Sequence, residues 1–238
     1  MPIVMLDPGH GGSDPGAQGN GLVEKNLALD MARKTRDWLL MHYEVDVRLT
    51  RDSDTLIPLS ERAQIANQLG ADYFVSLHHN AAGGQGFESF VYPGTRNQRA
   101  GQLQDVVHGG IMQFLGPLGI RDRGKKEANF AVLRQTSMPA ILIENLFVDH
   151  PTDANWLRSE SFRNQLANAT AKAIGAALNL RERFPANTPD WKREAVEWMF
   201  QEGLLTNEDW KNATENPLPL WAEAIVLRRL YDKLNNQQ

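Results

Sequence analysis

The chain has 238 residues, 42% apolar and 23% charged, the balance of a folded globular protein. Its net charge of −4, from 25 basic and 29 acidic residues, excludes a general basic footprint for nucleic acid. Without cysteine there is no disulfide and no Cys-based zinc or redox site. No apolar run approaches the ~20 residues of a membrane span, so no membrane insertion is expected. Met1 to Leu6 carries neither the basic start nor the apolar stretch of about 7–15 residues that marks a signal peptide.

Ile3 to Leu6 reads as a buried strand closed by Asp7-Pro8-Gly9, followed by a long glycine-rich loop. Glu24 to about Met41 reads as a helix, with Leu27, Met31, Thr35 and Trp38 on one stripe. Val45–Leu49 is the next strand, Leu59–Leu69 a helix stopped by Gly70, and Tyr73–Leu77 and Phe87–Tyr92 two further strands. Arg96–Phe114 has a helical pattern interrupted by glycines, and Gly116–Asn129 reads as a charged loop. Phe130–Leu133 and Ala140–Ile143 are short strand candidates, and Ser159–Leu180 is a strong helix.

This alternation predicts an α/β fold, a twisted and mostly parallel sheet flanked by helices on both faces, over residues 1–183. Residues 184–189, Phe184-Pro185-Ala186-Asn187-Thr188-Pro189, read as a linker. Residues 190–238 read as a small all-α C-terminal domain with helices near Asp190–Gln201 and Leu218–Leu234. Four of the six tryptophans lie beyond the first domain: Trp191, Trp198, Trp210 and Trp221. A domain this small needs large apolar anchors, so most of them are expected in its core. Exposed tryptophans would instead stack on sugars.

Polar groups with chemistry gather at the carboxyl ends of the predicted strands, where α/β folds place their sites. His10 follows the first strand in Asp7-Pro8-Gly9-His10-Gly11-Gly12, His78 ends Tyr73–Leu77, and Glu144 ends Ala140–Ile143. Glu24 opens the first helix, where a negative side chain also suits the helix dipole whatever else it does. A zinc site without cysteine must use His, Asp and Glu, with three protein ligands and an open position in the catalytic form. Alternation along a strand turns His78 and His79 in different directions, so only one joins such a site. Asn80 could orient a ligand or substrate. Arg51 reads as structural, with substrate contact the alternative. His42, His108 and His150 have no partners in the pattern and are placed at the surface or at caps.

Four segments together resemble the zinc-dependent N-acetylmuramoyl-L-alanine amidases of the Amidase_3 type. They are Val4-Met5-Leu6-Asp7-Pro8-Gly9-His10-Gly11-Gly12, Glu24-Lys25-Asn26-Leu27-Ala28-Leu29, Ser76-Leu77-His78-His79-Asn80 and Ile141-Leu142-Ile143-Glu144-Asn145-Leu146-Phe147. The resemblance covers roughly residues 2–180. It implies that His10, Glu24 and His78 bind one catalytic Zn²⁺ and that Glu144 is the acid/base. It also implies cleavage of peptidoglycan between N-acetylmuramic acid and L-alanine of the stem peptide. The family commonly has Gly where this chain has Leu146, and often Thr where it has Asn145.

The same ligand pattern suits a zinc carboxypeptidase-like peptidase, and a catalytically inactive wall-binding protein is the non-enzymatic alternative. Asp190 to Trp198 together with Gly203-Leu204 weakly resembles an S-layer-homology-type repeat, which makes wall binding one reading of the C-terminal domain. No obligatory protein partner is implied. Without a signal peptide, synthesis in the cytoplasm and action on the wall after phage-type or mother-cell lysis are expected.

Overall fold

The computed structural model describes residues 1–185, 188–214, 216–218 and 220–235. The chain divides into two compact units, residues 1–40 with 45–180 and residues 41–44 with 181–238. In chain order the first unit contains β1 (Ile3–Pro8), a small hairpin of β2 (Gln18–Gly19) and β3 (Leu22–Val23), α1 (Glu24–His42, ending in the second unit), β4 (Asp46–Leu49), α2 (Leu59–Leu69) and β5 (Tyr73–Asn80). It continues with β6 (Phe87–Val91), α3 (Arg99–Leu115), β7 (Asp122–Glu127), α4 (Ala131–Gln135), β8 (Ala140–Phe147), α5 (Pro151–Arg158) and α6 (Glu160–Leu178).

Six strands form one sheet in the order β4-β1-β5-β8-β6-β7. The pairs among β4, β1, β5 and β8 are parallel, and β6 runs antiparallel to β8. The central strands are apolar along their length because both faces are covered: Val4, Met5, Leu6, Phe74, Val75, Ile141 and Ile143 are all fully buried. Helices flank the sheet, α3 packing on α6 and α2 on α4. Gly70 caps α2 in the left-handed conformation, and Ser159 caps α6 by accepting from the Phe162 amide.

Two segments differ from the sequence expectation, and one helix, α5, lies outside the predicted elements. Gly116–Asn129 is not all loop, since Asp122–Glu127 forms β7. A charged strand at a sheet edge lacks the apolar alternation that marks an internal one. Phe130–Leu133 is not a strand but runs into α4, with Val132 and Leu133 buried. A four-residue apolar run fits either element by periodicity. Helix α5 is entered by Pro151 at its first turn after His150.

Beneath the site lies a buried ion pair. Arg62 Nη1 donates to Asp7 Oδ1 at 2.8 Å with both side chains almost fully enclosed. Asp7 also accepts from the Thr50 and Ser76 hydroxyls, and Arg62 donates to the carbonyls of Pro8 and His10. Removing the cation strands a buried carboxylate. Arg62→Met is therefore expected to cost about 3–5 kcal/mol in chemical denaturation; a loss below about 1 kcal/mol would mean that the two hydroxyls alone satisfy Asp7.

The second unit contains α7 (Asp190–Gln201), a 3₁₀ segment over Glu208–Ala213 and α8 (Leu220–Asn235). Phe184, expected in a linker, is buried with the cations of Arg193 and Lys211 near its ring; Ala186 and Asn187 of that segment lie outside the described residues. Three of the four tryptophans are not in the core: Trp191, Trp198 and Trp221 are exposed, and Trp210 is half-buried. The buried side chains of this unit include Phe184, Thr188, Arg193, Leu204, Leu205, Lys211 and Ala222. His42 is not at the surface either, being buried with Nε2 3.3 Å from Asp190.

Candidate metal centre and catalytic cleft

The ends of β1 and β5 and the start of α1 converge at one point. His10 stands in the left-handed region at φ 60, between Gly9 and Gly11, so the chain turns sharply off β1. Its Nε2 lies 3.0 Å from Glu24 Oε2, and its Nδ1 lies 2.8 Å from Asp14 Oδ2. His78 Nδ1 lies 2.8 Å from Glu24 Oε1. Ligand atoms of His10, Glu24 and His78 all fall within 4.8 Å of one another. The backbone is pared down around them. A Cβ on Gly9 would lie 2.2 Å from the His78 ring, and one on Gly16 would lie 2.6 Å from both Glu24 Oε2 and the His10 ring.

Glu24 sits between two imidazoles and accepts the amides of Ala17 and His79. Burial works against its charge, but hydrogen bonds from His10 and His78 outweigh that and hold its carboxyl far below the usual range. Burial likewise opposes the charge on His10, and its bonds to Glu24 and Asp14 overcome it, raising the imidazole to about 9. Two imidazole nitrogens and one anionic oxygen at this separation fit a tetrahedral divalent ion with one position left over.

Glu144 is of a different kind. It lies on β8 beside His78 of β5 and Glu88 of β6. Its Oε2 is buried with no hydrogen-bond partner among the described residues. Burial pushes the carboxyl up to about 7; the positive His78 draws it down, and the negative Glu24 and Glu88 push it further up. His78, Glu24 and Glu144 line one cleft of about 520 Å³ with His10, and Leu56 and Phe130 line the same cleft.

The remaining sequence candidates support this arrangement. His79 does not meet solvent. It is buried, its Nδ1–H donates to the Asn145 carbonyl at 2.6 Å, and burial depresses its imidazole to about 4. Its contribution to the cluster is the backbone N–H on Glu24. Asn80 donates to Glu88 Oε1 at 2.6 Å, and Glu88 is also paired with Lys126 and Arg123. Arg51 is structural: it donates to the carbonyls of Pro8, Gly9, Lys25 and Ser53, tying the His10 loop to α1. His108, expected at the surface, is buried between Ser89 and Asp122.

Sequence reasoning missed Asp14, which fixes the His10 ring; a carboxylate behind a ligating histidine is a recurrent support, and its place four residues on was the available signal. It also missed Glu88, whose closeness to Glu144 follows only from the antiparallel register of β6 on β8.

A cluster of two imidazoles and a carboxylate at the carboxyl ends of parallel strands, beside a buried unpaired carboxyl, is the layout of a hydrolase cleft. Residues 4–176 match the family model Amidase_3, described as N-acetylmuramoyl-L-alanine amidase. The endolysin of Bacillus phage SPP1 is 46% identical over 189 residues, 79% of this chain and 70% of that protein. The sporulation-specific N-acetylmuramoyl-L-alanine amidase of Bacillus subtilis is 46% identical over 183 residues, 76% of this chain and 70% of that one. The solved structure of N-acetylmuramoyl-L-alanine amidase AmiC2 of Nostoc punctiforme superposes with a TM-score of 0.69 at 36% identity, covering 75% of this chain and 97% of that one. The chain belongs to the Amidase_3 family and is an enzyme, a peptidoglycan amidase.

Proposed function

We propose that this enzyme hydrolyses the amide between the lactyl group of N-acetylmuramic acid and L-alanine of the stem peptide, using one Zn²⁺ held by His10, Glu24 and His78, with Glu144 as acid/base. When bound, zinc supplies a water of pKa near 7 and polarises the scissile carbonyl. The observation that supports this reading is the set of His10, Glu24 and His78 ligand atoms within 4.8 Å of one another, beside a second, buried carboxyl, Glu144, whose charge burial opposes while Glu24 is held anionic. Such a split divides the ligand from the proton carrier. Glu144 Oε2, lacking a partner, is free to take a proton from the attacking water and return it to the leaving nitrogen. His10, Glu24 and His78 orient the ion, and Asp14 and the His79 amide hold those side chains in place.

The C-terminal domain, residues 190–238, is read as a module that keeps the enzyme on the wall. The exposed Trp191 and Trp198 on one face of α7 support this. Action on the wall after release from a lysing phage host or mother cell is supported by the endolysin and sporulation relatives.

Digestion of purified peptidoglycan tests the reaction. New L-alanine amino termini are expected, abolished by a chelator and restored by Zn²⁺. New reducing ends or new C-terminal residues in their place would overturn it. In the same assay Trp191→Ala with Trp198→Ala is expected to lower co-sedimentation with walls while sparing turnover of soluble fragments.

A further inference from the structure

Helix α8 has two unlike faces. One holds the second unit together: Ala222 is buried, Arg229 donates to the Leu204 carbonyl at 2.8 Å, and Lys233 pairs with Glu202. The other carries Leu220, Ala224, Leu227, Tyr231 and Leu234, spaced by alternating steps of four and three residues. Of these the four large side chains are 61–82% exposed, and Trp221 beside the stripe is 64% exposed. A 4-3 alternation is the seam by which one helix packs along another, not a pattern that stacks on sugar. The charges beside the seam select the occupant. Glu223 and Arg228 flank it five residues apart on opposite sides, Arg228 also pairing with Asp232 one turn on at 3.3 Å. In a parallel pair of identical helices each glutamate then faces the other copy's arginine, and the contact is repeated by two-fold symmetry.

We infer that α8 is a self-association surface and that a second copy of this chain pairs with it in parallel through the Leu220–Leu227–Leu234 seam. The inference stands independently of the amidase reading. A seam of about two heptads is short for a coiled coil, which makes the association weak and concentration-dependent. Its consequence on a polymeric substrate is avidity, because one engaged copy holds the second near the wall.

Sedimentation velocity of the full chain from about 1 to about 200 µM, the range in which small interfaces associate, tests this. The mass is expected to climb from one copy to two across that range. Leu227→Glu is expected to raise the dissociation constant at least about tenfold; Leu227 is exposed, so the fold survives. Glu223→Arg and Arg228→Glu are each expected to weaken pairing, and their combination to restore it. A single-copy mass throughout, an unchanged mass for Leu227→Glu, or failure of the double reversal to rescue would each overturn the proposal. A single-copy mass combined with weaker wall binding by Leu227→Glu would assign the face to the wall polymer instead.

Discussion

Replacing Glu144 by Gln is expected to lower amide hydrolysis by about 10²–10⁴-fold, the usual value of a positioned proton carrier, while metal content stays at that of the parent. The amide keeps the shape of the carboxyl and cannot accept the proton. Glu144 stands beside the His10, Glu24 and His78 cluster, and its Oε2 has no hydrogen-bond partner among the described residues that the amide would lose. The measurement pairs turnover of soluble muramyl peptides with metal analysis of the same sample. Turnover within about threefold of the parent would remove Glu144 from the chemistry.

The raised carboxyl gives the same variant a second signature. Its pKa in the fold is about 7 against 4.5 for a free glutamate. A carboxyl raised on folding contributes stability that is complete below the unfolded value and is lost as pH climbs through the folded one. Relative to the variant, Glu144 should therefore withdraw on the order of 3 kcal/mol of stability from the metal-free parent between about pH 4.5 and 7. Glu144→Gln carries no such penalty. Metal-free, it should match the parent near pH 4 and melt at a higher temperature above pH 7. For activity the sign is opposite: a base must be ionised, so hydrolysis falls as pH drops through the value this carboxyl has in the loaded enzyme.

How far the site could be read from the chain follows the kind of order each residue depends on. His10, Glu24 and His78 were legible because each sits where an element begins or ends, and apolar runs and glycines mark those boundaries in sequence. Glu144 was legible by the same rule, although β5 and β8 run on past the predicted ends, to Asn80 and Phe147. Polar residues can continue a ladder once neighbouring strands supply the hydrogen bonds, and hydropathy cannot register that. What lies behind Glu144 was not legible. Leu146, where Gly is common in the family, occupies the left-handed region at φ 63 and is fully buried, beside a register shift between β5 and β8. Its apolar side chain is bought at a backbone cost of about 1–2 kcal/mol. The exposure of Trp191 and Trp198 was also hidden, because their seven-residue spacing defines a face without saying whether anything covers it.

Replacing Glu24 by Gln should be the most damaging change at the cluster. Metal affinity is expected to fall by more than about 100-fold, since even contacts that merely support a ligand are worth 10–100-fold, and hydrolysis should fall to background. The carboxylate does two jobs. It is one of the three proposed donors, and it is the anion that keeps the imidazoles beside it protonated when no ion is bound. With His10 raised to about 9, the metal-free cluster carries protons at neutral pH that an incoming ion must displace. Apparent affinity of the parent should therefore rise with pH, about tenfold per unit for each proton displaced, and level off above about pH 9. In Glu24→Gln the burial of both imidazoles is no longer offset by this anion, and Asp14 remains only for His10. Fewer protons are then held and fewer released. Zinc titration calorimetry in two buffers of different ionisation enthalpy counts them directly. Equal proton release by parent and variant, or undiminished zinc binding by the variant, would show that Glu24 neither holds the ion nor sets the charge of the histidines around it.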